Sequence, residues 1–189
     1  MMRPLAAASA RSRRRKSREG AAAVEFGIVA LPFFFMMFAI FEIGMVFVTS
    51  SLLENATMET ARLVRTGQAS TRNFDKAAFK TEMCSRMSIF AGDCEGRAEI
   101  DVREVPAFGN PVLPDPMAGG TFDTGQTSYA NGQPGSLMVV RAWYQQPLVT
   151  PFLSQGLSRL NNGKAMLSAT TAFRNEPWGW GAGGSGSNP

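Results

Sequence analysis

GIVALPFFFMMFAIFEIGMVFV, residues 27–48, is the stretch on which the reading of this chain turns. Its 22 residues hold one ionisable side chain, Glu42. At about 1.5 Å of rise per residue, a helix of this length crosses the ~30 Å hydrocarbon core of a bilayer. It also exceeds the apolar region of a secretory signal, which runs to about 7–15 residues. Small residues at Thr49, Ser50 and Ser51 leave a cleaved signal open as an alternative, but the helical pattern does not stop there. Leu52, Ala56 and Leu63 recur near helical spacing, with Glu54, Glu59, Arg62 and Arg65 on other faces, and Gly67 follows LVRT as a C-cap. The expectation is one helix over residues 21–66, transmembrane at about 27–48.

Charge is divided unevenly along the chain. Residues 1–20 hold seven basic groups (Arg3, Arg11, Arg13, Arg14, Arg15, Lys16 and Arg18) against Glu19, whereas residues 21–189 hold 12 basic and 14 acidic groups. The basicity therefore belongs to the leader, and the rest of the chain lacks the electrostatic footprint of a nucleic-acid binder. A basic run directly before an apolar helix reads as its cytoplasmic flank. The absence of histidine removes the commonest general base and the commonest metal ligand, and two cysteines do not make a four-cysteine zinc site. Neither a cofactor nor a metal site is expected. Outside the cytoplasm, Cys84 and Cys94 read as a disulfide closing a short loop.

REGAAAVEF, residues 18–26, places Glu25 at the threshold of the apolar run. A carboxylate near the centre of a membrane costs on the order of 2.5–3.5 kcal/mol on insertion scales, so something should compensate it. One compensation is the favourable end of a helix, where an anion is stabilised. Another follows if a protease cuts between Gly20 and Ala21. The new α-amine, with a pKa of about 8, then lies four residues before Glu25 and neutralises it within one helix or between packed helices. Glu42 lies near the far interface, where it either snorkels or makes a polar contact within the membrane. Pro32 removes a backbone donor and should kink or loosen the helix.

The leader ending in Gly20, the small residues from Ala21 to Val24, Glu25 as fifth residue after the cut, Phe26 and the apolar run resemble a class III prepilin cleavage motif. With FEIG at 41–44, ENATMETARLVRTG at 54–67 and AFRNEP at 172–177, the chain resembles the TadE-like pseudopilins of the tight-adherence (Tad/Flp) type IV pilus system. Major Flp pilins usually follow the glutamate with tyrosine and are little more than a helix; Phe26 and the large extra domain fit a minor pseudopilin instead. The resemblance implies processing by prepilin peptidase between Gly20 and Ala21, and a role for Glu25 and Phe26 in assembly. It further implies other Tad pseudopilins and pilin, the inner-membrane assembly platform and membrane lipid as partners, in a pilus used for surface adhesion. No enzymatic activity is implied.

Beyond Gly67, Asn73 is expected to cap a second helix of about residues 74–90 carrying a packing stripe of Phe79, Met83, Met87 and Phe90. AEIDVREV (98–105), LMVVRAWYQQ (137–146) and KAMLSATTAF (164–173) read as strands, with a short Pro-broken helix or turn between the last two. Asp93, Glu95, Glu99, Asp101 and Glu104 read as a solvated acidic face. The long Gly- and Pro-rich loop at 106–136 reads equally as a subunit-contacting loop or a tolerated insertion.

The expected fold class is thus α+β: a long N-terminal transmembrane helix continuing into a small domain with a second helix and about three antiparallel strands. Residues 1–20 form the cytoplasmic leader, 21–66 the long helix, 67–174 an extracytoplasmic domain, and 175–189 a flexible Gly-rich tail. The positive-inside rule places the N-terminus in the cytoplasm, with the domain in the periplasm of a single-pass inner-membrane protein. The alternative function is a membrane-anchored binding or sensor protein with an uncleaved anchor.

Overall fold

The computed structural model describes residues 8–109, 111–117, 119–150, 155–157 and 160–178, with side chains described from Gly20 onward. The chain forms two compact units, Met1–Ile43 and Gly44–Pro189. Helix α1, Ala8–Arg65, contributes to both. It begins earlier than the expected start at residue 21. The basic sequence ASARSRRRKSRE consists largely of good helix formers, and one glycine at position 20 costs only about 1 kcal/mol of propensity, too little to break the helix. Gly67 closes α1 in the left-handed conformation, φ 76°, with its N–H donating to the Val64 carbonyl.

The second unit gathers around the C-terminal part of α1. Leu53, Ala56, Thr57, Thr60, Ala61 and Val64 are buried, the spacing of one helix face. The Thr57 and Thr60 hydroxyls donate to the carbonyls of Leu53 and Ala56 at 2.7 and 2.8 Å, so neither polar group is left unpaired in the core.

After α2 (Gln68–Thr71), Asn73 stands at φ 52° and does not open the next helix. Its N–H donates to Ser70 and that of Phe74 donates to Ala69, a pairing that terminates α2 in a left-handed residue, where asparagine is favoured. The cap of α3 (Lys76–Ser85) is Asp75, whose carboxylate accepts from the Ala78 N–H at 2.7 Å. The single helix expected to residue 90 ends at Ser85. Ser88 adopts φ 53°, a 3₁₀ turn spans Ser88–Phe90, and α4 follows at Ala91–Arg97. Cys84 in α3 and Cys94 in α4 form a disulfide across this bend, with Cα atoms 5.4 Å apart. Phe79, Met83 and Met87 of the stripe are buried, and Phe90 packs against them half-buried.

The three strands are β1 (Ala98–Val105), β2 (Leu137–Gln146) and β3 (Ala165–Arg174), antiparallel in the order β1-β2-β3. Val102 is opposite Val140, and Ala142 is opposite both Ile100 and Ala169; these residues face the helices. Residues 155–157, between β2 and β3, are helical, whereas 151–154 of the expected Pro-broken segment lie outside the described residues.

Segment 106–136 is neither a simple turn nor a free loop. Residues 128–130 run parallel to β1: the Val102 N–H donates to Ser128, and the Ala130 N–H donates back to Val102. Other parts of the segment cover the face of the sheet away from the helices, where the Arg141 guanidinium donates to the Pro114 carbonyl at 2.9 Å and Phe122 packs edge-on against Trp143.

The centre of this second face is Asp101, which is fully buried and contradicts the expected solvated acidic face. Directly opposite on β2, Arg141 donates to one carboxylate oxygen at 3.0 and 2.6 Å, while the other accepts from Arg103 and from the Ser128 N–H, both at 2.7 Å. Strand alternation did turn Asp101 away from the helices; the folded-over loop then buried it. Burial alone would raise its pKa, but the Ser128 N–H and the two guanidiniums outweigh burial and hold the carboxyl below the usual carboxylate range.

Two outcomes follow for stability. Asp101→Asn leaves the Arg141 cation buried without its counter-charge and is expected to cost about 3 kcal/mol, read from the denaturant midpoint of the full chain in detergent. The folded carboxyl titrates below its unfolded value of about 4. Its contribution is therefore complete above that pH and lost as pH falls through the folded value, a loss absent from the Asn variant. Replacing both Cys84 and Cys94 by serine is expected to cost about 2–3 kcal/mol by the same measurement, and thiol reduction of the wild type should reproduce it.

Candidate functional site

The residues singled out for processing and assembly lie in the first unit, on α1. From Gly20 to Phe26 every residue is exposed, and Phe26 is 71 % exposed. Among the described residues, no heavy atom outside the helix's own backbone would meet a Cβ placed at Gly20, so nothing described packs over the Gly20–Ala21 peptide bond. The bond nevertheless lies inside a continuous helix, and a protease that reads an extended chain must first unwind it. Gly20 is the residue at which that unwinding costs least.

Ala21 and Glu25 are one helical turn apart on the same face, about 6 Å along the axis. Pro32 lies inside α1, where its ring removes the hydrogen bond that the carbonyl of residue 28 would otherwise accept. Glu42 is half-buried ten residues further on. The apolar side chains around these groups point outward: Phe33, Met36, Phe38 and Phe41 are all at least 60 % exposed. Among the described residues, Gly20–Arg65 is the one helical stretch long and apolar enough to cross a membrane, and its most apolar part buries nothing within the protein. Apart from the carbonyl of residue 28 freed by Pro32, the helix satisfies its own backbone there, which is what a hydrocarbon solvent requires of an exposed segment.

The acidic residues around and after Cys94 do not converge on a site. Asp93 pairs with Arg97, Glu95 accepts from Thr81, Glu99 meets Lys76 and Lys80, and Glu104 accepts from Ser136.

Sequence reasoning missed the part played by AFRNEP. Asn175 is buried; its N–H donates to the Ser136 carbonyl, and its amide donates to the carbonyls of Asn131 and Gln133. The next residue, Glu176, donates its N–H to the Arg65 carbonyl at the end of α1 and pairs with the Arg65 side chain at 3.2 Å. Trp178 then covers Gly67 so closely that a Cβ there would overlap its ring. Residues 175–178 thus fasten α1, the long loop and β3 together rather than beginning a free tail; residues 179–189, Trp180 included, lie outside the described residues. An isolated Asn-Glu pair following a strand carries no signal of this role in the sequence.

No curated protein and no solved structure matches the chain. Residues 20–62, from Gly20 through the apolar helix and into its buried face, match the family model for TadE-like proteins. Over that helix, and not beyond it, the chain is similar to TadE-like proteins.

Proposed function

We propose that this protein is a minor pseudopilin that takes part in assembling or initiating a Tad/Flp pilus for surface adhesion, matured by prepilin peptidase between Gly20 and Ala21. The observation that carries this reading is the placement of Glu25. It is an exposed carboxylate one turn from the bond to be cut, at the start of an otherwise apolar exposed helix that matches the TadE family.

Before cleavage the carboxylate faces a peptide bond. After cleavage an α-amine with a pKa of about 8 stands one turn away, and the pair is neutral as a unit at the membrane surface. In a helix packed beside another, the amine of one chain serves the Glu25 of its neighbour equally well, which makes helix stacking dependent on processing. Phe26 adds an apolar contact at the same level. The leader stays in the cytoplasm, α1 anchors the protein in the inner membrane, and the α+β domain stands in the periplasm to meet other pseudopilins, pilin and the assembly platform. The protein acts by packing, and no catalytic step is assigned to it.

Intact mass and N-terminal sequencing of the membrane-extracted protein test the processing step. A start at Ala21 is expected when prepilin peptidase is active and a start at Met1 when it is absent or when Gly20 is replaced by alanine. A Met1 start in every case would leave an uncut anchor and remove this reading. Glu25→Ala is expected to be cleaved normally while piliation falls about tenfold or more, because the new α-amine is left as an unpaired charge at the membrane; normal piliation in that variant would disprove the charge-pairing mechanism.

A further inference from the structure

The two edges of the sheet are treated differently. The outer edge of β1 is covered by residues 128–130, which pair with it through Val102. Among the described residues β3 pairs with β2 alone, in an unbroken register from Ala165 to Arg174, and its other edge is open. Open edges are normally guarded by a charge, a proline, a bulge or a very short strand. Here ten residues, AMLSATTAFR, carry no proline, no bulge and no charge before the terminal Arg174.

A small cavity of about 150 Å³ opens at the middle of that edge, between Ser168–Thr171 and the α1 residues Glu54, Thr57 and Met58. Glu54 is exposed and forms no ion pair among the described residues, and Met58 is 53 % exposed beside it. Backbone groups along an edge, with a pocket for a side chain next to them, are the two components of recognition by strand addition.

We propose that the open edge of β3 takes a fourth strand from a different protein, an extended segment that sets a basic side chain into the cavity beside Glu54. A second copy of this chain fits less well. Ala169 packs on the helix side of the sheet, as do Leu167 and Phe173, so Arg174 belongs to the opposite side. Antiparallel pairing of two β3 edges about a two-fold axis keeps like faces together, which carries the partner's Arg174 away from Glu54 and brings no other cation from residues 165–173. The proposal lies wholly within the second unit and does not rest on the pilus reading.

The test uses the full chain in detergent micelles and the labelled synthetic peptide Thr-Val-Thr-Lys-Thr-Val-Thr, titrated to millimolar concentration. Controls are the same peptide with glutamate for lysine, and one N-methylated on alternate amides. Expected are saturable binding of the lysine peptide with amide shifts confined to residues 165–174, about fivefold weaker binding of the glutamate peptide, and no binding of the N-methylated one. Glu54→Gln should bring the lysine and glutamate peptides to within about twofold of one another. Absence of saturable binding, equal binding of the N-methylated peptide, or an undiminished lysine preference in the Gln variant would each overturn the proposal. So would a micelle-corrected mass of two chains that Thr170→Pro reduces to one, which would give the edge to a second copy.

Discussion

The burial of one face of α1 is the constraint to which the second unit conforms. Leu53, Ala56, Thr57, Thr60, Ala61 and Val64 give this face small and medium side chains, and small side chains let other elements approach closely. Threonine at such positions is acceptable because its hydroxyl returns to the carbonyl four residues back. The same helix between Gly20 and Val48 buries almost nothing within the protein. One covalent helix therefore satisfies two different requirements: an all-round apolar surface over residues 27–48 and an amphipathic one over its last turns.

A three-stranded sheet packed on helices has a second face that also needs covering, and the chain covers it with the segment between β1 and β2. Asp101 is the point at which that cover is fastened, since it joins β1 to Arg141 of β2, to Arg103 and to Ser128 of the loop. A buried ion pair is weak evidence of net stabilisation, because desolvation offsets much of the Coulomb attraction. What it supplies here is geometry. The carboxylate accepts four close hydrogen bonds from different directions, and displacing any partner would leave a buried charge incompletely satisfied. Asn175 and Glu176 perform the corresponding task at the end of β3, tying the loop and the last turn of α1 to the strand. Both fastenings lie within the second unit, whereas the groups assigned to processing and assembly lie in the first.

Much of the fold was legible because periodicity and local chemistry reveal it directly. The apolar run of 27–48, the strands at 98–105 and 137–146 and the cap at Gly67 depend on neighbours in sequence, and the structure has them at those positions. The errors arose where tertiary context overrode a local signal. Asn73 has the side chain of an N-cap but adopts the backbone of a helix end, and Asp75, two residues later, captures the free N–H. The stripe of Phe79, Met83, Met87 and Phe90 keeps helical spacing through a bend, because a 3₁₀ turn and α4 continue burial on the same core. The grouping of Gly20, Ala21 and Glu25 depends only on helical spacing and on their place before the apolar run, so it is visible without the fold.

By itself, the sequence determined the membrane-length helix, the basic run before it and the carboxylate of Glu25 at its threshold, the α+β class and the strands, because each depends on composition or on spacings shorter than one element. Only the tertiary structure decided the fate of Asp101, the covering of one sheet edge and, among the described residues, the opening of the other, and the docking of residues 175–178 on the end of α1. Those outcomes are set by contacts between residues tens of positions apart. The free energy of such contacts depends on what else is excluded from water around them, and no local pattern in the chain encodes that.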